Sequence, residues 1–225
     1  MTVKVAVLLA GCGVYDGSEI HESVLTMLAL DGAGAAYECC APEGDQMHVV
    51  DHLAGRPSEG EARSIMRESA RIARGKVRPL SKVSAADYDA LVIPGGFGAA
   101  KNLCTYAVDG REARANPEVA RVVREFVKAG KPVGAMCIAP AVVAAVFRGD
   151  PDVRPVLTIG SDPGTAADLE AMGAAHLVCD VRDCVTDPRN RIVSTPAYML
   201  GKGPAEVSVG IGKLVKALLD MCGGR

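Results

Sequence analysis

The chain has 225 residues, 49% of them apolar, with 4% aromatic and no Trp. That length suits one α/β domain whose core is built from Val, Leu, Ile, Ala and Met. Lys plus Arg number 25 against 27 Asp plus Glu, so charge gives no reason to expect a nucleic acid or an anionic membrane as partner, and a small polar or neutral ligand fits better.

The opening MTVKVAVLLAGCG holds Lys4 inside its apolar stretch and runs straight into a turn. It reads as a first strand rather than a secretory leader, and no apolar run nears the roughly 20 residues that span a bilayer. VKVAVLLAG (3–11) is apolar on both faces, as a strand inside a parallel sheet is. Residues 17–34 place Ile20, Val24, Met27 and Leu28 at helical spacing and stop at Gly32 and Gly34. AAYECCAP reads as strand two, and the polar stretch 43–60, with QMHVVDHLAG, as a hairpin excursion whose Met47, Val49, Val50 and Leu53 either serve an interface or pack locally. A helix over 61–75, a strand over 88–96 ending in Gly95 and Gly96, and a mixed segment over 97–116 follow. Pro117 opens a helix that ends at Gly130. PVGAMC (132–137) is a strand, 138–147 a helix, LTIGS (157–161) a strand and 165–174 a helix. After AHLVCD, a DPRN turn joins CVT to RIVST, and a last helix covers 205–222. Strand and helix alternate throughout, which predicts a single domain over 1–225: a mostly parallel sheet with helices on both faces.

Eight cysteines (Cys12, Cys39, Cys40, Cys104, Cys137, Cys179, Cys184 and Cys222) are spread along a chain too large to need disulfide staples, so reduced thiols in the cytoplasm are expected. There is no CxxC and no HExxH, and His21, His48, His52 and His176 do not fall at ligand spacing with cysteine. No metal and no other cofactor is expected.

Cys137 stands apart because KPVGAMCIAP puts it where a strand ends and a helix begins. In open parallel sheets ligands bind beyond the carboxyl ends of the strands, facing helix N-termini. A sharp turn there pushes the sulfur outward as a nucleophile elbow. The helix end is expected to depress the thiol pKa. Two other strand ends converge on that rim. In GCGVYDGSEIHE, Asp16 and Glu19 fit a capping box that puts Glu19 in the first helical turn. In PGGFGAAKN, consecutive glycines expose backbone N–H groups suited to an oxyanion. The bland alternatives are a buried packing cysteine, a simple cap and a simple turn.

Taken together, AGCGVYDGSEIHES, IARGK, DALVIPGGFGAAKNLC, KPVGAMCIAP, LTIGSDPGTA and STPAYML closely resemble the enhancing-lycopene-biosynthesis family of the ThiJ/PfpI superfamily, relatives of class I glutamine amidotransferases. The resemblance runs from Lys4 to about Leu219. It implies a flavodoxin-like three-layer sandwich and one amidotransferase-like domain, with Cys137 as the reactive cysteine. By the same resemblance Glu19 is the acid beside the sulfur, Gly96 and Ile138 are the oxyanion donors with Gly95 next to them, and a homodimer or larger homo-oligomer forms. Asn102 and Tyr198 are candidates to line the pocket. The chain departs from the superfamily's proteases and amidotransferases in having Ile138 directly after the thiol and STPAYM late in the chain, so no Cys-His-Glu triad is visible. His21, two residues past Glu19, is expected to point away from it.

Without a histidine to protonate a leaving amine, amide hydrolysis is disfavoured. A thiolate and one carboxylic acid still suffice for a reactive aldehyde, which has no leaving group to expel. The expected activity is a cofactor-independent glyoxalase that turns glyoxal or methylglyoxal into a 2-hydroxy acid through a Cys137 hemithioacetal, with Glu19 moving protons from a buried site of raised pKa. Deglycase activity would use the same chemistry. The competing expectation is a cysteine-based redox sensor or regulatory protein linked to isoprenoid output.

Overall fold

The computed structural model describes residues 2–223. Its first strand, β1 (Lys4–Leu8), is followed by α1 (Ile20–Gly32), β2 (Ala36–Ala41), the two-residue strands β3 (Val50–Asp51) and β4 (Arg56–Pro57), α2 (Ile65–Ile72), β5 (Val77–Pro79) and β6 (Ala90–Ile93). Next come α3 (Tyr106–Asp109), α4 (Pro117–Lys128), β7 (Val133–Met136), α5 (Ala139–Phe147), β8 (Val156–Leu157), α6 (Pro163–Ala171) and β9 (Ala175–His176). The chain closes with β10 (Val185–Asp187), β11 (Ile192–Thr195) and α7 (Pro204–Gly223).

Seven strands form one sheet in the order β10-β11-β7-β6-β1-β2-β5. Every neighbouring pair is parallel except β10 with β11. Helices α1, α2 and α7 cover one face while α4 and α5 cover the other, giving the flavodoxin-like sandwich. Val5, Ala6, Val7 and Leu8 of β1 are wholly buried, because a central parallel strand is covered from both sides. Helix α4 follows its pattern closely: Asn116 caps the Glu118 N–H, Pro117 opens the first turn, and Val119, Val122, Val123 and Phe126 face the core.

Helix α1 departs from the apolar pattern in two ways. It begins at Ile20, three residues later than the spacing predicts, with Glu19 as its N-cap. It also turns the expected core residues outward: Ile20, Val24 and Leu28 are exposed, and the buried face carries Glu22, Ser23, Thr26 and Leu30. Ser23 and Thr26 satisfy their hydroxyls on the Glu19 and Glu22 carbonyls at 2.7 Å each, so their burial leaves no orphaned donor. The first turn of α1 is thereby committed to polar contacts at the strand ends rather than to apolar packing.

Other differences are matters of length. LTIGS contributes only Leu157 to a strand, β8, which pairs in parallel with β9 outside the main sheet. Edge strand β5 is three residues long, too short for a period to show. The 43–60 excursion contains the antiparallel β3–β4 pair. Val49 and Val50 are buried, Met47 and Leu53 exposed. The excursion leans on the strand-end loops through Met47 N–H to Asn102 Oδ1 at 2.9 Å and Val50 N–H to Asp16 Oδ2 at 2.7 Å.

The loop after β1 and the loop after β6 are packed backbone to backbone. Gly98 N–H donates to the Gly17 carbonyl at 2.9 Å, and a Cβ on Gly98 would lie 2.4 Å from the Gly17 Cα. Gly98→Ala is expected to lower unfolding free energy by about 2 kcal/mol, since overpacking against backbone cannot relax by a rotamer change. Gly32→Ala, at a position with nothing within 4 Å, is the control and is expected to be neutral or stabilising by about 0.5 kcal/mol. Urea denaturation of both variants measures the contrast.

Candidate functional site

Four strand ends meet at one point. After β7 the backbone turns sharply: Cys137 has φ +58° and Ile138 is the N-cap of α5. A left-handed conformation at a non-glycine residue costs on the order of 1–3 kcal/mol and persists only where its surroundings impose it. Here the Cys137 N–H donates to the Thr195 carbonyl at 3.1 Å, tying the elbow to the end of β11. The loop after β6 comes so close that a Cβ on Gly95 would sit 2.4 Å from the Cys137 Cβ, so only glycine fits. The N–H groups of Gly96 and Ile138 both face the sulfur and favour its anionic form, which is how oxyanion donors are disposed.

The carboxyl at the sulfur belongs to Glu22, not to Glu19. Glu22 has no exposed surface. Its Oε2 accepts the Gly95 N–H at 2.9 Å, its Oε1 accepts the Tyr198 N–H at 3.1 Å, and the Cys137 thiol donates to the same carboxylate. Glu19 instead accepts the Glu22 N–H at 2.7 Å as helix cap. The displacement by three residues has a tertiary cause. Asp16, expected to cap, accepts the Val50 N–H on its Oδ2, while Gly13, Gly17 and Ser18 form a tight turn that delays the helix to Ile20. Glu22 thereby becomes N3, the place a capping-box glutamate occupies. The Glu19 N–H it would normally reach back to is already taken by the Gly95 carbonyl at 2.9 Å, which leaves the Glu22 side chain to turn across to the thiol.

Burial dominates the electrostatics of this pair. It raises the Glu22 carboxyl from 4.5 to about 7, with Glu19 adding to the rise and the Tyr198 and Gly95 amides opposing it. The thiol is also pushed up, by burial first and by the Glu22 carboxylate second, with the Gly96 and Ile138 amides pulling the other way. The depressed thiol pKa expected from the helix N-terminus is therefore overturned: desolvation and a like-charged neighbour outweigh two amides. Near neutral pH the thiol therefore keeps its proton while the carboxyl gains and loses its own.

The remaining predicted residues divide. Gly95 spends its N–H on Glu22, so it positions the acid rather than an oxyanion. Asn102 is a structural pin: its amide donates to the Ala10 and Asp16 carbonyls at 2.8 and 2.9 Å and its Oδ1 accepts from Met47. Tyr198 touches the site through its backbone, and its hydroxyl is hydrogen-bonded with His21 Nδ1 at 2.7 Å. Cys39 and Cys104 are raised to about 11 and about 12 by burial, as packing thiols are. A cavity of about 950 Å³ lies away from this chemistry, at the sheet edge between α2 and β5. Sequence reasoning missed Glu22 because the N-cap shift depends on Asp16 and Val50 meeting across the fold.

The DJ-1/PfpI family model matches residues 4–149. A Homo sapiens relative named glutamine amidotransferase-like class 1 domain-containing protein 3, mitochondrial, is 46% identical over 98% of this chain and 84% of its own length. The Danio rerio ES1 protein, mitochondrial, is 34% identical over 97% and 86%. Among solved structures, an isoprenoid biosynthesis protein with amidotransferase-like domain from Ehrlichia chaffeensis superposes with TM-score 0.89 at 41% identity, covering 97% of this chain and 99% of that one. Drosophila melanogaster DJ-1beta, at TM-score 0.56 and 18% identity over 100% and 97%, shares the fold.

Because folding raises the Glu22 pKa from 4.5 to about 7, the folded state binds this proton more tightly than the unfolded chain. The resulting stabilisation is full below about pH 4.5, declines as pH rises, and is gone above about pH 7, a loss of about 3 kcal/mol. Glu22→Gln removes this slope. The difference in unfolding free energy between wild type and variant, followed by denaturation from acid to about pH 8, is expected to change by that amount.

Proposed function

Because the chain belongs to the DJ-1/PfpI family, we propose that it is a cofactor-independent glyoxalase acting on small reactive carbonyls, with Cys137 as nucleophile and Glu22 as proton shuttle. The observation that carries this reading is the buried thiol–carboxyl contact with the Gly96 and Ile138 amides turned on the sulfur. As sulfur adds to one aldehyde of glyoxal, the thiol proton passes to Glu22, and the two amides hold the developing oxyanion. Protonation of that oxygen gives a hemithioacetal. Removal of the proton from its carbon and reprotonation at the neighbouring carbon yield a thioester of glycolate. Water then hydrolyses the thioester, releasing glycolate and restoring the thiol, so that glyoxal plus water equals the acid. A carboxyl near pH 7 suits both directions of proton transfer. Deglycase activity would arise from the same adduct.

A redox sensor is less well supported, because the thiolate is the species that oxidises and burial disfavours it here. Concerted proton transfer to Glu22 avoids a standing thiolate. Membership of the enhancing-lycopene-biosynthesis group is supported by the motifs from AGCGVYDGSEIHES to STPAYML and by the likeness to the isoprenoid biosynthesis protein. Cys12, Cys39, Cys40, Cys104, Cys137, Cys179 and Cys184 are free thiols, which supports a reducing compartment, cytoplasmic or, as the names of the human and zebrafish relatives have it, mitochondrial. Ile20, Val24 and Leu28 line the outer face of α1 beside exposed Val209 of α7, and we take this apolar face as the contact of a homodimer or larger homo-oligomer.

Conversion of glyoxal, followed by chromatography of glycolate, tests the activity. Cys137→Ala and Glu22→Gln are expected to lose at least about 100-fold in turnover, whereas Glu19→Gln, which keeps an oxygen for the cap, stays within a few-fold of wild type. Wild-type product no higher than the Cys137→Ala background rejects the glyoxalase. Leu28→Glu is expected to shift the mass measured by light scattering to that of the monomer; an unchanged mass places the interface elsewhere.

A further inference from the structure

The turn after β11 is strained at a residue the reaction does not touch. Ala197 is wholly buried with φ +44°, a conformation that persists in an alanine only where the surroundings impose it. Its effect is to aim the Tyr198 N–H at Glu22 Oε1, 3.1 Å away. The Tyr198 side chain then reaches back over α1, where its hydroxyl is hydrogen-bonded with His21 Nδ1 at 2.7 Å and the two rings lie 5.8 Å apart. His21 and Glu22 are consecutive residues of the first helical turn, about 100° apart around the helix. One tyrosine therefore holds both: the exposed His21 through its hydroxyl and the buried Glu22 through its amide.

We propose that His21 and Tyr198 form a positioning clamp, which fastens the strained 195–199 turn onto α1 and so keeps the Tyr198 amide on Glu22, setting how readily that carboxyl takes the thiol proton. The proposal rests on the Cys137–Glu22 pair as reacting centre but not on the identity of the aldehyde. The titratable groups around Glu22 are Glu19 from the helix cap, Cys137 from the elbow and the Tyr198 phenol from the turn itself. The loop after β6 brings an amide, that of Gly95. Two amide donors, one from each side, offset burial at this carboxyl together with the Cys137 thiol. Loosening the clamp withdraws one of these amides and leaves the Gly95 amide and the thiol, so the protonated acid becomes favoured over a wider pH range. The clamp also accounts for the Tyr198 hydroxyl and the His21 ring, which have no place in the proton transfers of the proposed reaction.

The test is the pH dependence of Cys137 alkylation by iodoacetamide, with modification of the Cys137 peptide quantified by mass spectrometry so that other thiols do not contribute. Wild type is expected to show an inflection near pH 7 that Glu22→Gln lacks. In Tyr198→Phe and His21→Ala the inflection is expected to move upward by about 0.5–1 pH unit, the loss of one amide donor to a buried carboxylate. His21→Asn, whose amide can stand where Nδ1 stands, is expected to restore it. His21 is exposed, so its variants keep the fold. An inflection at the wild-type pH in both Tyr198→Phe and His21→Ala overturns the clamp alone. A wild-type profile with no inflection, unchanged by Glu22→Gln, overturns the Cys137–Glu22 pairing and the clamp with it.

Discussion

Cys137 and Glu22 meet in a setting that favours neither as an anion. The carboxylate is held by amides, from Gly95 and Tyr198, rather than by a cation, and the sulfur faces the amides of Gly96 and Ile138. Amides supply partial positive charge without a mobile counter-ion, so the carboxyl can still take up and release a proton instead of freezing in a salt bridge. Much of the local architecture follows from bringing those four amides together. Gly95 has no room for a Cβ against Cys137, Gly96 adopts φ +93° against the Glu19 backbone, and Cys137 and Ala197 accept left-handed backbone. The parallel sheet makes this possible because β1, β6, β7 and β11 all point their carboxyl ends the same way.

The same requirement explains the reversed helix α1. A helix that must bring Glu22 inward in its first turn carries Ser23 and Thr26 inward as well, and it leaves Ile20, Val24 and Leu28 on the solvent side. The polar buried face is stabilised by hydroxyl bonds to the helix's own carbonyls and by the packing of α7 alongside. Site geometry and an apolar outer surface are thus two consequences of one choice of helix phase.

Burial also selects among chemistries. A thiol raised above its ordinary value resists oxidation and adventitious alkylation, and becomes a nucleophile when its proton has an acceptor in contact. In the proposed reaction, addition to a carbonyl supplies such a step, the charge that leaves sulfur passing to an oxygen beside the two amides that face the sulfur.

The order of strands and helices was legible in the residues themselves: continuous apolar runs such as 3–11 and 88–96 mark buried strands, and Pro117 with Gly130 brackets a helix. The placement of Cys137 and Ile138 between a strand and a helix and of Gly95 and Gly96 after a strand was legible too, because a strand-to-helix junction and a glycine pair are local features. The acid was not. Glu19 and Glu22 sit three residues apart in one helix start, and local pattern assigns the inward role to whichever follows the presumed cap. Only the folded chain decides, because Asp16 is drawn off by Val50 from the excursion and the Glu19 N–H by Gly95 from another strand end. The thiol's proton affinity was likewise beyond local reading, since it depends on how completely four separate segments exclude water. The amino-acid order determines which elements form and which thiol stands at a strand end, for those depend on near neighbours; the tertiary contacts determine which carboxyl meets that thiol and how tightly each holds its proton, for those depend on groups far apart in the chain.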